Sequence, residues 1–143
     1  MARTDSLEVA SALHRAAIRL LRTVRTADDE TRVSAPKLSA LSVLVFGGAQ
    51  SLSSLARAEQ VTPATMSTLV SELEALGLVA KRVDREDKRG VRIEVTAKGR
   101  ALMEEGRKRR LTLLNARIAK LTREERALLA DASALMMRLA DGQ

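Results

Sequence analysis

The residues whose types and spacing could do chemistry lie between Leu52 and Lys98. A helix opening at Thr62-Pro63 sets Ala64, Ser67, Thr68, Ser71 and Ala75 opposite an apolar stripe of Met66, Leu69, Val70, Leu73 and Leu76. The first set is small and uncharged, where surface helices usually carry Lys and Glu. Such a face seats deeply in a major groove: hydroxyls bond base edges or phosphates, and methyl groups touch thymine. The first turn, Thr62 to Thr65, adds free backbone N–H groups that suit a phosphate.

Next comes a charged tip, Arg82-Val83-Asp84-Arg85-Glu86-Asp87-Lys88-Arg89-Gly90. From Lys81 to Arg92 there are six basic residues: Lys81, Arg82, Arg85, Lys88, Arg89 and Arg92. Asp87 and Arg89 are two apart in a turn, where a carboxylate can hold a guanidinium in one pose. That would pre-order Arg89 for a narrow, negative minor groove. A polar helix face beside a basic hairpin is what a duplex needs from its reader: one element enters a groove and the other grips phosphate.

The totals agree with a polyanionic partner. The net charge is +7 and the pI about 10.7. Nucleic acid comes first on that balance, an acidic membrane surface second. Phe46 is the only aromatic residue, which argues against single-strand binding by base stacking. The absence of cysteine excludes disulfides, thiolate metal sites and thiol redox sensing. One histidine, no paired carboxylates on a helix face and no phosphate-cradling glycine motif leave no catalytic case and no metal site. No cofactor is implied. No apolar run approaches the ~18 residues of a membrane span, and the start is no signal peptide, so a cytoplasmic protein is expected.

The elements that must position this constellation follow from periodicity. Ser6 to about Arg25 reads as a helix, with Ala10, Leu13, Ala17, Leu20, Leu21 and Val24 at helical spacing. Thr26 to Ala35 is polar and reads as a loop. Pro36 opens a helix to about Phe46, and Gly47-Gly48 stops it. Ser51 caps a short helix, Leu52 to Ala58. After the turn Glu59-Gln60-Val61, Thr62 caps the next helix, which Gly77 ends. Leu78-Val79-Ala80 and Val91-Arg92-Ile93-Glu94-Val95 read as two strands of a hairpin. Thr96 caps a helix to about Lys120, roughly 35 Å long and more than a small domain needs for itself. Thr122-Arg123-Glu124-Glu125 is a capping-box pattern, and a last helix with Leu128, Leu135, Met136 and Leu139 runs to about Ala140. The expected fold is mainly α with a small β wing: a winged helix-turn-helix with helical extensions. Residues 1–35 form an N-terminal helix and loop, 36–99 the winged lobe, and 100–143 the C-terminal helices.

Across these elements the chain resembles a MarR-family winged-helix regulator. The stretches that carry the resemblance are Leu55-Ala56, Pro63-Ala64-Thr65-Met66-Ser67-Thr68-Leu69-Val70 and Leu73-Glu74-Ala75-Leu76-Gly77-Leu78-Val79. They continue through Arg82, Asp84, Asp87-Lys88-Arg89-Gly90 and Val95-Thr96-Ala97-Lys98-Gly99-Arg100. The family's Asp-x-Arg wing pattern falls on Asp87 and Arg89. The resemblance implies a triangular homodimer whose first and last two helices form the dimerisation domain. It implies a sequence-specific transcriptional regulator, usually a repressor, on a pseudo-palindromic double-stranded operator with half-sites about 34 Å apart.

Members of that family often bind small anionic or phenolic effectors where the dimer helices meet the DNA-binding lobe. The chain's own candidates there are His14, Arg15, Lys37 and Phe46, although Phe46 also reads as core and His14 as a packed or interface residue. Two other functions fit the same residues: a winged helix that binds a protein partner, and a nonspecific DNA coater. Salt dependence and sequence preference separate the three.

Overall fold

The computed structural model describes residues 5–87 and 90–143, with only the backbone of Asp29 and Glu30. Six helices and a small sheet follow in chain order. Helix α1 is Ser6–Arg25, followed by a 3-10 turn, Thr26–Thr31, and α2 is Ala35–Gly47. Strand β1 (Gln50–Ser51) leads into α3 (Leu52–Ala58) and α4 (Pro63–Ala75). The hairpin is β2 (Val79–Val83) and β3 (Val91–Val95), and α5 (Ala97–Ile118) and α6 (Arg123–Ala140) complete the chain. This is the expected mainly helical fold with a β wing. Among the described residues no helix is long and apolar enough to cross a membrane.

The helix starts are written in side chains. Asp5, Ser51, Thr62 and Thr96 each accept a backbone N–H of the first turn that would otherwise lack a partner. Thr122 and Glu125 form the expected capping box, each side chain bonding the other's backbone N–H. The stretch expected as loop between α1 and α2 instead coils into the 3-10 turn. It is held from α5: Arg109 Nε donates to the Ala27 carbonyl at 3.1 Å, and Arg110 meets Asp28 Oδ1 at 2.7 Å. Those partners are 82 residues away, which is why local polarity alone reads as loop.

The three strands are antiparallel in the order β1-β3-β2. Register runs from Val79 opposite Val95 to Val83 opposite Val91, so the first hairpin strand extends further toward the tip than Leu78-Val79-Ala80. Strand β1, not expected from sequence, pairs Gln50 with Ile93 and Ser51 with Arg92. At two residues it is too short to show a period.

The core sits where α2, α3, α4 and the hairpin converge. Leu41, Leu44, Leu55, Met66, Val70, Leu73 and Ile93 are all fully buried there. Met66, Val70 and Leu73 are the inward face of α4; Leu76, expected in that stripe, is the C-cap and is exposed. Phe46, expected in the core, is also corrected: at the end of α2 it is 82% exposed.

Helices α1 and α6 contain no fully buried residue. Leu20 and Leu21 of α1, and Leu128, Leu135, Met137 and Leu139 of α6, stand exposed. Helix α5 spans 22 residues, about 33 Å at ~1.5 Å per residue. Its first half packs on the core lobe, and its last turns run beyond it.

Candidate nucleic-acid interface

The small-residue face is built from the start of α4. Thr62 Oγ1 accepts the Thr65 N–H at 3.1 Å and donates to Thr65 Oγ1 at 3.0 Å. Pro63 occupies the first turn, where a missing N–H is no loss. With Met66, Val70 and Leu73 drawn inward, Thr62, Pro63, Ala64, Thr65, Ser67, Thr68 and Ser71 are all exposed. The structure thus leaves every helix residue named for DNA contact exposed to solvent, with Ala64, Ser67, Thr68 and Ser71 on the side opposite the buried stripe.

The end of α4 is anchored by the chain that follows. Gly77 adopts a left-handed φ of 74°, a conformation an L side chain resists. There its N–H reaches Glu74 O and the Leu78 N–H reaches Leu73 O, both at 2.9 Å, closing the helix. Thr96 Oγ1 then donates to Gly77 O at 2.6 Å, and Lys98 Nζ to Leu76 O at 2.8 Å. A cation on carbonyls that end a helix also opposes the helix dipole. The start of α5 therefore grips the end of α4. Neither contact was legible from sequence, because Thr96 reads only as a cap and Lys98 as a solvated lysine.

The hairpin flanks the same surface. Ser67 of α4 shares a cleft of about 180 Å³ with Lys81 of β2 and Val91 of β3. Lys81 Nζ lies 3.9 Å from Glu74 of α4. Arg82 pairs with Glu94 across the two strands. Arg85 is exposed, and among the described residues it makes no ion pair. Lys88 and Arg89 lie outside the described residues, and with them the proposed Asp87–Arg89 pairing. The Asp87 carbonyl accepts the Gly90 N–H at 2.8 Å, and the Gly90 carbonyl accepts from Asp84 N at 2.9 Å.

A carboxylate that sequence reasoning passed over organises this tip. Asp84 Oδ1 accepts the Glu86 N–H at 3.0 Å, and Oδ2 lies 3.6 Å from Arg92 Nη1. The Glu86 N–H is the main reason its pKa lies below the usual aspartate value; desolvation opposes it, and Arg92's charge and the Asp87 N–H each lower it further by less. Arg92 Nη2 also donates to the Ala49 carbonyl at 2.6 Å. One guanidinium thus ties the tip to the segment leading into β1. The alternation of β3 turns Arg92 away from Ile93, but only the fold shows what it meets.

The polar side of the lobe extends to α3, where Arg57 is exposed, a second group not singled out from sequence. Lys37 of α2 pairs with Glu72 of α4 at 3.0 Å, and Ser39 Oγ donates to Glu59 at the end of α3 at 2.9 Å. Both helices of the helix-turn-helix are therefore coupled to α2.

On its other side α2 borders a cleft of about 720 Å³. Its walls come from α1 (Leu21, Val24, Arg25), the 3-10 turn and the residues after it (Asp28, Arg32, Val33), α2 (Leu38, Ser42) and α5 (Met103, Arg110). Three arginines and one aspartate line it, Arg110 being paired with Asp28, beside an apolar floor. His14 and Arg15 lie exposed on α1, Lys37 is engaged with Glu72 and Phe46 is exposed. The four effector candidates are not brought together, and none of them lines this cleft. The arginines that do line it are scattered through the sequence, so no spacing signals them.

A family model described as the MarR family matches residues 33–91, the span from just before α2 to β3. The HTH-type transcriptional regulator MT0903.1 of Mycobacterium tuberculosis is 35% identical over 133 residues, covering 93% of both chains. A MarR family protein from Bacillus stearothermophilus superposes with a TM-score of 0.82 at 23% identity, over 99% of each chain. BpsR of Bordetella bronchiseptica matches with a TM-score of 0.60 at 26% identity, over 90% of this chain and 92% of that one. The solved structure of BpsR concerns regulation of its DNA binding by 6-hydroxynicotinic acid.

Proposed function

The chain belongs to the MarR family of DNA-binding transcriptional regulators, not to a family of enzymes, and from that premise we propose that it is a ligand-responsive homodimeric repressor. It acts in the cytoplasm on a pseudo-palindromic operator. The observation that carries the reading is the shared surface of α4 and the hairpin: a small-residue helix face beside an arginine-bearing wing, with Ser67 and Lys81 lining one cleft between them. A helix of that shape enters the major groove while the wing follows phosphate into the minor groove. Thr62, Pro63, Ala64, Thr65, Ser67, Thr68 and Ser71 supply the groove contacts, and Arg82, Arg85, Lys88 and Arg89 the charge, with Asp87 ordering the wing.

Dimerisation is supported by the uncovered apolar faces of α1 and α6 and by the overlong α5. Two copies joined there would present two recognition helices about one duplex turn, ~34 Å, apart. The division into a lobe at 36–99 and dimerisation helices on either side follows from the same faces. The effector would be a small anionic or phenolic molecule in the cleft beside α2, whose Arg25, Arg32 and Arg110 suit an anion over an apolar floor. The contacts from α2 to Glu72 and Glu59 give such a ligand a route to both DNA-binding helices. It would favour a dimer geometry that no longer matches the half-sites.

The test is selection of genomic fragments by the purified protein at about 150 mM salt, followed by sequencing. A few recovered sites sharing an inverted repeat are expected. Uniform recovery would identify a nonspecific coater, and no recovery would favour a protein partner.

A further inference from the structure

The exposed face of α4 is distinctive for what it lacks. From Thr62 to Leu76 there is no Arg, Lys, Asn, Gln or His. Those side chains grip guanine O6 and N7, or adenine N6 and N7, through paired hydrogen bonds. The exposed positions hold Ala64, Thr65, Ser67, Thr68, Ser71 and Ala75 instead.

The hydrogen bonds within α4 narrow its offer further. Thr62 spends its hydroxyl hydrogen on Thr65 Oγ1 at 3.0 Å, and Thr68 spends its own on the Ala64 carbonyl at 3.3 Å. Thr68 therefore meets a base edge chiefly with its methyl group. The two carboxylates of the helix, which could accept from cytosine N4, are engaged by lysines: Glu72 by Lys37 at 3.0 Å and Glu74 by Lys81 at 3.9 Å. The cations around the helix, Arg57 and Lys81, sit on α3 and β2, where they suit phosphates, which carry no sequence.

We propose that α4 reads its operator through apolar contact with thymine, the methyl groups of Ala64, Thr68 and Ala75 packing against thymine C5 methyls. The half-site beneath the helix is then rich in A·T pairs, with no guanine held by a paired side-chain contact from α4; the exposed Ser67 and Ser71 hydroxyls add single bonds that do not select one base. With no bidentate anchor, discrimination is spread over several weak contacts. The inference rests on the DNA-binding role of α4 and concerns only which bases that helix reads.

The experiment uses the full-length protein and the operator recovered from a random duplex pool. Each thymine of the half-site is replaced singly by deoxyuridine, which removes one methyl group and nothing else. Each replacement beneath α4 should weaken binding about fourfold, the worth of one buried methyl. Thr68→Ser should weaken binding to the thymine operator by a similar factor. At the one position it faces, deoxyuridine should then cost that variant nothing further, since the two methyls form one contact. Half-sites centred on guanine, or uracil operators bound as tightly as thymine ones, would overturn the proposal. So would a cytosine requirement that disappears in Glu72→Gln. Those results would leave a sequence-specific regulator standing, whereas failure to recover any preferred sequence would remove both readings.

Discussion

Gly99, in the first turn of α5, lies so close to Leu78 that a Cβ on it would overlap the Leu78 carbonyl oxygen and reach within 2.8 Å of Val95 Cγ2. The same carbonyl accepts the Thr96 N–H at 3.0 Å. Helix α5 therefore leaves the hairpin with its backbone pressed on the segment that closes α4. The glycine is required by space, because its backbone is ordinary helix. Gly99→Ala must lift α5 off Leu78, loosening the Thr96 and Lys98 contacts to the recognition helix. Stability should fall by about 1–3 kcal/mol, as for overpacked sites, and duplex affinity should fall with it. Urea denaturation and duplex titration of the same preparation check this; an unshifted midpoint would show that α5 is not seated as described.

Asp84 makes the wing sensitive to acid. Its pKa is lowered in the folded chain, first by the Glu86 N–H and then by Arg92. A lowered folded value means that the unfolded chain binds the proton more readily. The stabilisation is therefore fully present above the ordinary aspartate value of 3.8 and is lost as pH falls through the lower folded value. Protection of the Glu86 amide, taken relative to its intrinsic exchange rate, should fall across that window before the core opens. Asp84→Asn should remove the acid limb and expose the tip at neutral pH. Glu86 exchange that is insensitive to both changes would rule out this role.

Much of this architecture is legible in the chain itself. Ser51, Thr62, Thr96 and Thr122 cap helices because a short polar side chain before a periodic run has one favourable use. The inward set Met66, Val70 and Leu73 follows from a 3.6-residue period. Phe46 was misread because an aromatic at the end of an apolar helix is core by frequency; here α2 ends beside solvent. Asp84, Arg92 and Lys98 were missed because each acts on a group made near only by folding: Asp84 on Arg92 across the hairpin, Arg92 on Ala49, Lys98 on Leu76. The arginines of the cleft come from three separate elements and carry no spacing at all.

The uncovered face of α6 predicts how assembly can be broken. Leu135 and Leu139, one turn apart on that face, are 54% and 63% exposed, so charging them costs a single chain little. Leu135→Glu with Leu139→Glu should leave the helical circular dichroism unchanged and give a monomer in sedimentation. Loss of the second half-site contact should weaken operator binding by about a hundredfold or more. A double variant that still sediments as a dimer with normal affinity would place the interface elsewhere.

Arg85 should act through charge alone. It is exposed on the hairpin, and a phosphate contact there carries no sequence information. Arg85→Ala should weaken specific and random duplexes by the same factor and reduce the slope of log affinity against log salt by about 1. If the loss appears only on the specific site, Arg85 reads bases or groove shape, and the division of labour between helix and wing needs redrawing.

The Lys37–Glu72 pair joins α2, which walls the large cleft, to α4. Leu38, next to Lys37, lines that cleft, while Glu72 is half exposed on α4. The pair contributes little to stability, since such surface ion pairs are worth about 0–1 kcal/mol. With α4 facing a duplex as proposed, its electrostatic effect is larger, because Lys37 masks the Glu72 carboxylate. Lys37→Met unmasks it and should weaken duplex binding about fivefold, equivalent to about 1 kcal/mol, with normal thermal stability. Glu72→Gln should bind at least as tightly as the parent chain, and the double variant should behave like Glu72→Gln, because the lysine then has no charge to mask. Duplex titration of the four proteins at two salt concentrations decides it. Additive losses in the double variant would mean that Lys37 contacts DNA directly, and the route from cleft to recognition helix would have to run through Ser39 and Glu59 alone.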